Sequence, residues 1–153
     1  MKRVCLSLLF VSLFAICAQS QTPDPPTTAG NVIRVVYFDV MPGKTNEFLT
    51  FLRKNSKVIF EEQMKQGLIL NYMYYSKPTT EGPGDWDVAL TVVYRNYADA
   101  IDFNAERGAK FDAITLKHYG SAEERTKAND YVDTLRTVVS SHIIREQKLN
   151  PMK

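Results

Sequence analysis

The sequence predicts an α+β domain of the ferredoxin-like class, a split βαβ with a four-stranded antiparallel sheet and helices on one face. Two observations lead to this prediction. Four segments rich in β-branched and aromatic residues are separated by stretches with the apolar spacing of helices. Their order along the chain is β-α-β and then β-α-(α)-α-β, with extra helices before the last strand.

The first half of the domain begins with an apolar strand, residues 32–41, which ends at a Pro-Gly turn. A helix is predicted over about residues 45–66, and Gly67 follows it in the usual C-terminal position. The large apolar residues of this helix recur at three-to-four spacing: Phe48, Phe51, Leu52 and Ile59. A second strand, residues 68–75, precedes a Pro- and Gly-rich loop.

The second half repeats the pattern with more helix. A third strand is predicted over residues 86–94, and Asn96 caps a helix that extends to about residue 107. A further short helix covers residues 109–119. Ser121 begins a capping box before another apolar helical stripe, and the last strand covers residues 138–149.

The first and third strands are apolar on both faces, although alternate residues of a strand point to opposite sides of the sheet. In the first strand, the two sets are Ile33, Val35 and Tyr37 on one side, and Val32, Val36, Phe38 and Val40 on the other. Helices can cover only one face, so the other exposes an apolar patch of the kind that marks an interface. We therefore expect a homodimer with two sheets packed face to face. A monomer whose leader or extra helices wrap the second face is the alternative.

The first residues have the composition of a cleavable signal peptide. Lys2 and Arg3 precede an uncharged apolar run, which is shorter than the roughly 20 residues that span a bilayer. Small residues at Ala18 and Ser20 favour cleavage before Gln21, with an uncleaved anchor as the alternative. We expect a signal peptide over residues 1–20, a flexible leader over 21–30 and one domain over 31–150, in a protein exported to the periplasm or secreted.

Removal of this segment changes the chemistry of the chain. Both cysteines, Cys5 and Cys17, lie within it, so the mature chain has no thiol for a nucleophile, an iron–sulfur cluster or a thiolate zinc site. The removed segment also holds two of the 19 basic residues and none of the 17 acidic ones. A near-neutral mature chain has no basic excess, so we expect neither a nucleic-acid partner nor a stable membrane association after cleavage.

The local pattern resembles the dimeric α/β-barrel superfamily, which includes the antibiotic-biosynthesis monooxygenase-like, EthD-like, NIPSNAP-like and haem-degrading proteins. The resemblance is carried by Val40-Met41-Pro42-Gly43-Lys44 before the first helix, and by residues 61–69 before an aromatic strand. It covers about residues 31–150. At the level of the fold, the chain is similar to exported bacterial members with no assigned role. It implies a face-to-face dimeric barrel and, in the haem-degrading branch, a haem with an axial histidine. The family's spacing of His, Asn and Trp is not reproduced, so no catalytic residue is carried over.

Two histidines are the weak catalytic candidates. His118 is predicted near a helix C-terminus, where it can complement the helix dipole or serve as a haem ligand or general base. His142 lies in the last strand, either half-exposed or turned towards a ligand. Their separation predicts no metal site. The signatures of hydrolases, kinases and nucleotide-binding proteins are absent from the sequence.

Aromatic residues on the predicted strands give the candidate ligand pocket: Tyr37, Tyr72, Tyr74 and Trp86. A sheet face with several such side chains can bind a planar apolar molecule, or it can simply pack. We expect an exported protein that binds a small apolar or aromatic ligand in a sheet-lined pocket. The alternatives are a cofactor-independent or haem-dependent monooxygenase, and a dimerisation domain without a ligand.

Overall fold

The computed structural model describes residues 25–79, 82, 84–102 and 104–151. These residues form one antiparallel sheet, which confirms the predicted ferredoxin-like class. Its strands are β1 (Thr27–Val40), β2 (Asn71–Ser76), β3 (Val88–Tyr94) and β4 (Arg136–Leu149). Their order across the sheet is β2-β3-β1-β4, and each neighbouring pair is antiparallel. The predicted signal peptide lies outside the described residues.

Helices connect the strands in two blocks. The first block contains α1 (Thr45–Phe51), a π-helical turn (Leu52–Ser56) and α2 (Lys57–Lys65), and the second contains α3 (Tyr97–Ile101), α4 (Ala105–Tyr119) and α5 (Ala122–Asp133). The side chains of Asn96, Asn104 and Ser121 cap α3, α4 and α5 by accepting hydrogen bonds from backbone N–H groups. In the described part of the chain, no helix is long and apolar enough to cross a membrane.

Several predicted boundaries differ from the structure. The helix expected from Asn96 to about residue 107 ends at Ile101, because Asn104 provides a second cap and starts α4. β1 begins at Thr27, within the segment expected to be a flexible leader over residues 21–30. Residues 27–29 pair with residues 147–149 of β4, and this pairing satisfies backbone groups that would otherwise be left to water.

The core lies between one face of the sheet and the helices. Phe38 and Val40 of β1 pack with Phe48, Leu52 and Leu135, all of them buried. The rings of Phe38 and Phe48 are 5.7 Å apart, edge to face. Phe48 is in α1, and Leu135 lies between α5 and β4. Their packing with Phe38 and Val40 therefore connects both helical blocks to β1.

We call the other side of the sheet the open face. It carries alternate residues of all four strands, namely Ile33, Val35, Tyr37 and Asp39 of β1, Asn71, Met73 and Tyr75 of β2, Ala89, Thr91 and Val93 of β3, and Ser140, His142 and Ile144 of β4. Met73, Tyr75 and Ile144 are 42%, 45% and 49% exposed. The open face is thus apolar and, among the described residues, has no helix packed on it.

Candidate functional site

A cavity of about 350 Å³ lies between the helix-facing side of the sheet and the helices. We call it the interior pocket. Its aromatic walls come from β1, α1 and α2: Phe38, Phe48, Phe51 and Phe60. This volume is at the lower end of the range of small-molecule sites, which are mostly apolar with a few polar groups that orient the ligand.

Two buried polar groups in the interior pocket have no hydrogen-bond partner among the described residues. They are the hydroxyl of Tyr74, on β2, and Nε of Arg136, at the start of β4. Buried polar groups in proteins are nearly always paired with protein or water. Tyr74 and Arg136 both line this cavity, although the unpaired hydroxyl and N–H are themselves buried.

The environment of Tyr74 keeps its hydroxyl protonated. Burial raises the pKa of Tyr74 to about 12, because the phenolate would be poorly solvated. The Ser56 hydroxyl is near enough to favour the phenolate slightly, but it does not meet the geometry of a hydrogen bond to Tyr74. At neutral pH the buried hydroxyl of Tyr74 is thus a hydrogen-bond donor and not a phenolate.

The π-helical turn shapes the roof of the interior pocket. Lys57 N donates to Leu52 O, which is the i to i+5 bond of a π turn, and both Leu52 and Ser56 line the cavity. Asn55 supports the turn, since its Nδ2 donates to Phe51 O at 3.2 Å. Single π turns within α-helices occur often at functional sites. The sequence predicted an uninterrupted helix here and contained no signal that located the turn.

The four aromatic residues predicted to form one pocket lie on opposite faces of the sheet, so that grouping is corrected. Tyr72 and Tyr74 face the helices, whereas Tyr37 and Trp86 lie on the open face with their rings 5.2 Å apart. Tyr74 lines the interior pocket, and Tyr72 lines a smaller recess of about 220 Å³ that shares Tyr74 with it. The ring of Tyr72 stacks on Phe60 at 5.0 Å. Strand alternation accounts for the division.

The two candidate histidines also lie on opposite sides of the sheet. His118, in α4, has Nε2 3.0 Å from Asn55 Oδ1, so it connects α4 to the π-helical turn. His142 is exposed on the open face, where its ring centre is 6.1 Å from that of Tyr37. Neither lines the interior pocket. These positions do not fit an axial haem ligand in this cavity, and no group of His, Cys, Asp and Glu in the described chain is arranged to bind a metal ion.

Two larger recesses lie outside the core. One, of about 510 Å³, is a shallow cleft between α1 and α5 beside Tyr131, which is 48% exposed. The other, of about 450 Å³, lies between α3 and α4 beside Arg34 and Arg107. In that cleft Arg34 donates to Ala100 O and Arg107 pairs with Asp99, although Nε of Arg34 is buried and has no partner among the described residues. We regard the interior pocket as the candidate site, because its walls are largely aromatic and belong to the core.

No protein-family model matches the chain, and no curated protein matches it. Two solved structures are similar in part. A dimeric protein of unknown function and ferredoxin-like fold from Bacteroides fragilis is 16% identical, with a TM-score of 0.42, over 77% of this chain and 96% of its own. A dimeric ferredoxin-like protein from an uncultured marine organism is 12% identical, with a TM-score of 0.41, over 81% of this chain and 92% of its own. These similarities are too low to transfer a function or an assembly.

Replacing Tyr74 by Phe tests the unpaired hydroxyl through the pH dependence of stability. The folded pKa, about 12, lies above the ordinary value of 10.0. The contribution of Tyr74 to the free energy of unfolding is therefore fully present below pH 10 and is lost as the pH rises towards 12. We expect Tyr74→Phe to match or exceed the parent stability at pH 7, and to lose less stability than the parent between pH 10 and 11.5. Urea unfolding at each pH measures both.

Tyr97→Phe is the control, because it removes a hydroxyl from an exposed tyrosine. It should follow the parent across the whole pH range. A loss of more than about 1 kcal/mol at pH 7 in Tyr74→Phe would mean that the hydroxyl is paired in the folded protein.

Proposed function

We propose that the protein binds a small apolar or aromatic ligand in the interior pocket. The observation that carries this proposal is a core cavity with aromatic walls and two buried, unpaired polar groups, those of Tyr74 and Arg136. A cavity of this kind costs stability when it is empty, through lost packing contacts and unpaired polar groups. A ligand that fills it restores packing contacts, and its binding stabilises the folded chain.

The lining favours binding over catalysis. General acid–base catalysis needs a group whose pKa lies near the working pH. Among the described residues that line the interior pocket there is no His, Cys, Asp or Glu, and burial raises the pKa of Tyr74 to about 12. The pocket thus provides orientation and desolvation for a ligand, and no observation there favours the monooxygenase alternative.

We also propose that two copies of the chain pack through their open faces, in the manner of a dimeric α/β barrel. The supporting observation is the exposure of Met73, Tyr75 and Ile144 on a sheet face that no described helix covers. Charge supports a second copy as the partner. An isologous interface sets each patch against itself, so a central charge would meet its own copy. The centre of the open face has no Lys, Arg, Asp or Glu, and Asp39 lies at one end of it.

Filling the interior pocket should abolish ligand binding. Ile59 lines the cavity and is half-buried. We expect Ile59→Trp to weaken the binding of the neutral fluorescent probe N-phenyl-1-naphthylamine by at least about tenfold, because the larger ring occupies the space. Fluorescence titration of the probe measures this. Ile101→Trp, at a residue that is 56% exposed and outside the cavity, is the matched control and should bind the probe like the parent. Equal affinity of both variants would contradict the proposed site.

A charge on the open face should dissociate the dimer. We expect the parent to have the mass of two chains and Tyr75→Asp that of one, because the substitution places an unpaired carboxylate of each copy in an apolar interface. Size-exclusion chromatography with light scattering measures the mass. Tyr131→Asp is the matched control, since Tyr131 has similar exposure, 48% against 45%, but lies on α5. A parent that is monomeric at micromolar concentration would refute the dimer.

We propose that the protein is exported by cleavage of residues 1–20, as the basic start and the short apolar run support. Intact mass spectrometry of the full-length chain expressed in a bacterial host should find, in the periplasmic fraction or the medium, a product that begins at Gln21. Replacing Leu8, Leu9 and Phe10 by Asp should retain the uncleaved chain in the cytoplasm. Cytoplasmic retention of the parent would contradict export.

A further inference from the structure

We propose that the ligand of the interior pocket is an amphipathic carboxylic acid, with an apolar or aromatic body and one anionic head group. This inference rests on the proposed ligand-binding function and specifies the chemical class. The observations that carry it are the sign of the charges in the lining, the directions in which those charges are already paired, and the position of a neutral hydroxyl donor in the same cavity.

The charges that line the interior pocket are all positive. Arg125 and Arg136 line the cavity, and no described lining residue is acidic. A cation at the wall of an apolar cavity is costly unless an anion or an acceptor pairs with it. The pocket therefore favours an anion over a neutral or cationic molecule of the same shape.

Both arginines are paired on the solvent side only. Arg136 Nη2 lies 3.1 Å from Asp133 Oδ1, and the Asp133 side chain is 64% exposed. Arg125 Nη1 lies 3.1 Å from Asp112 Oδ1, and the Asp112 side chain is 69% exposed. A guanidinium has five N–H donors, so one contact of this kind leaves most of them free. The Nε of Arg136 is one such donor, since it is buried and unpaired.

The position of Arg136 is fixed by the core. Its guanidinium carbon lies 5.3 Å from the centre of the Phe38 ring, a contact that holds the planar group over an aromatic wall of the cavity. Its side chain is only 19% exposed. An arginine held in this way can donate two parallel hydrogen bonds to a carboxylate, whose oxygens are acceptors only.

Tyr74 complements this arrangement. The residue lines the same cavity, and a small rotation of its side chain would bring its protonated, unpaired hydroxyl within reach of an anionic oxygen. The remaining wall is aromatic, with Phe48, Phe51 and Phe60 available to pack against a planar or aliphatic body. Cationic and neutral donors together with an aromatic wall match a molecule with one carboxylate and an apolar remainder.

The test compares 2-naphthoic acid with 2-naphthamide, which has the same shape but no charge, by isothermal titration calorimetry on the full chain. We expect the acid to bind at least about tenfold more tightly, as charge-assisted hydrogen bonds imply. Arg136→Gln should reduce the affinity for the acid to that for the amide and leave the amide within about twofold. Arg125→Gln should act in the same direction and serves if Arg136→Gln does not fold.

Arg95→Gln is the matched control, because it removes the same charge from a side chain that is 57% exposed and outside the cavity. It should bind both compounds like the parent. If acid and amide bind equally in the parent and in Arg136→Gln, the carboxylate preference is refuted while ligand binding in the pocket stands. If neither compound binds, nor N-phenyl-1-naphthylamine, the ligand-binding function itself is refuted, and the carboxylate preference with it.

Discussion

The central strand, β1, carries apolar side chains on both of its faces, and the fold can bury only one of these faces within a single chain. Both helical blocks are connections within the same sheet, and such connections place their helices on the same side when they share one hand. Phe38 and Val40 are covered by this layer, whereas Ile33 and Tyr37 are left on the open face. The helix-covered face becomes the core and contains the cavity, and the open face becomes a surface that favours another sheet.

The cavity arises where the helix layer does not fully follow the sheet. A π-helical turn inserts an extra residue into the helix that crosses the sheet, and this changes which side chains point inwards on either side of it. Leu52 and Ser56 then stand over Tyr74 without filling the space below them. His118, a candidate haem ligand or general base, contacts the same turn through Asn55. This contact stabilises the π-helical turn above the cavity. The π-helical turn thus contributes directly to the lining of the cavity.

Strand periodicity and caps were sufficient to predict the ferredoxin-like sheet, the helical blocks and the two-faced character of β1. The cavity was not predictable in the same way. Alternation separates Tyr74 from Tyr75, but it does not say which of them faces the helices, because both sets of residues on β2 contain tyrosines. Arg136 and Arg125 come from different elements, and only the packed structure brings them to one cavity. Fold therefore followed from local pattern, whereas the site depended on long-range packing.

The pairing of residues 27–29 with residues 147–149 brings the two ends of the domain together. Asn150 completes the arrangement, since its backbone N–H donates to Pro26 O and its side chain donates to Pro25 O and accepts from Thr28. The domain is in this respect nearly a closed loop, with its ends at one edge of the sheet and away from the cavity. Such a chain is suited to circular permutation, in which a short linker joins Asn150 to Pro25 and new ends are opened in the loop that follows β2.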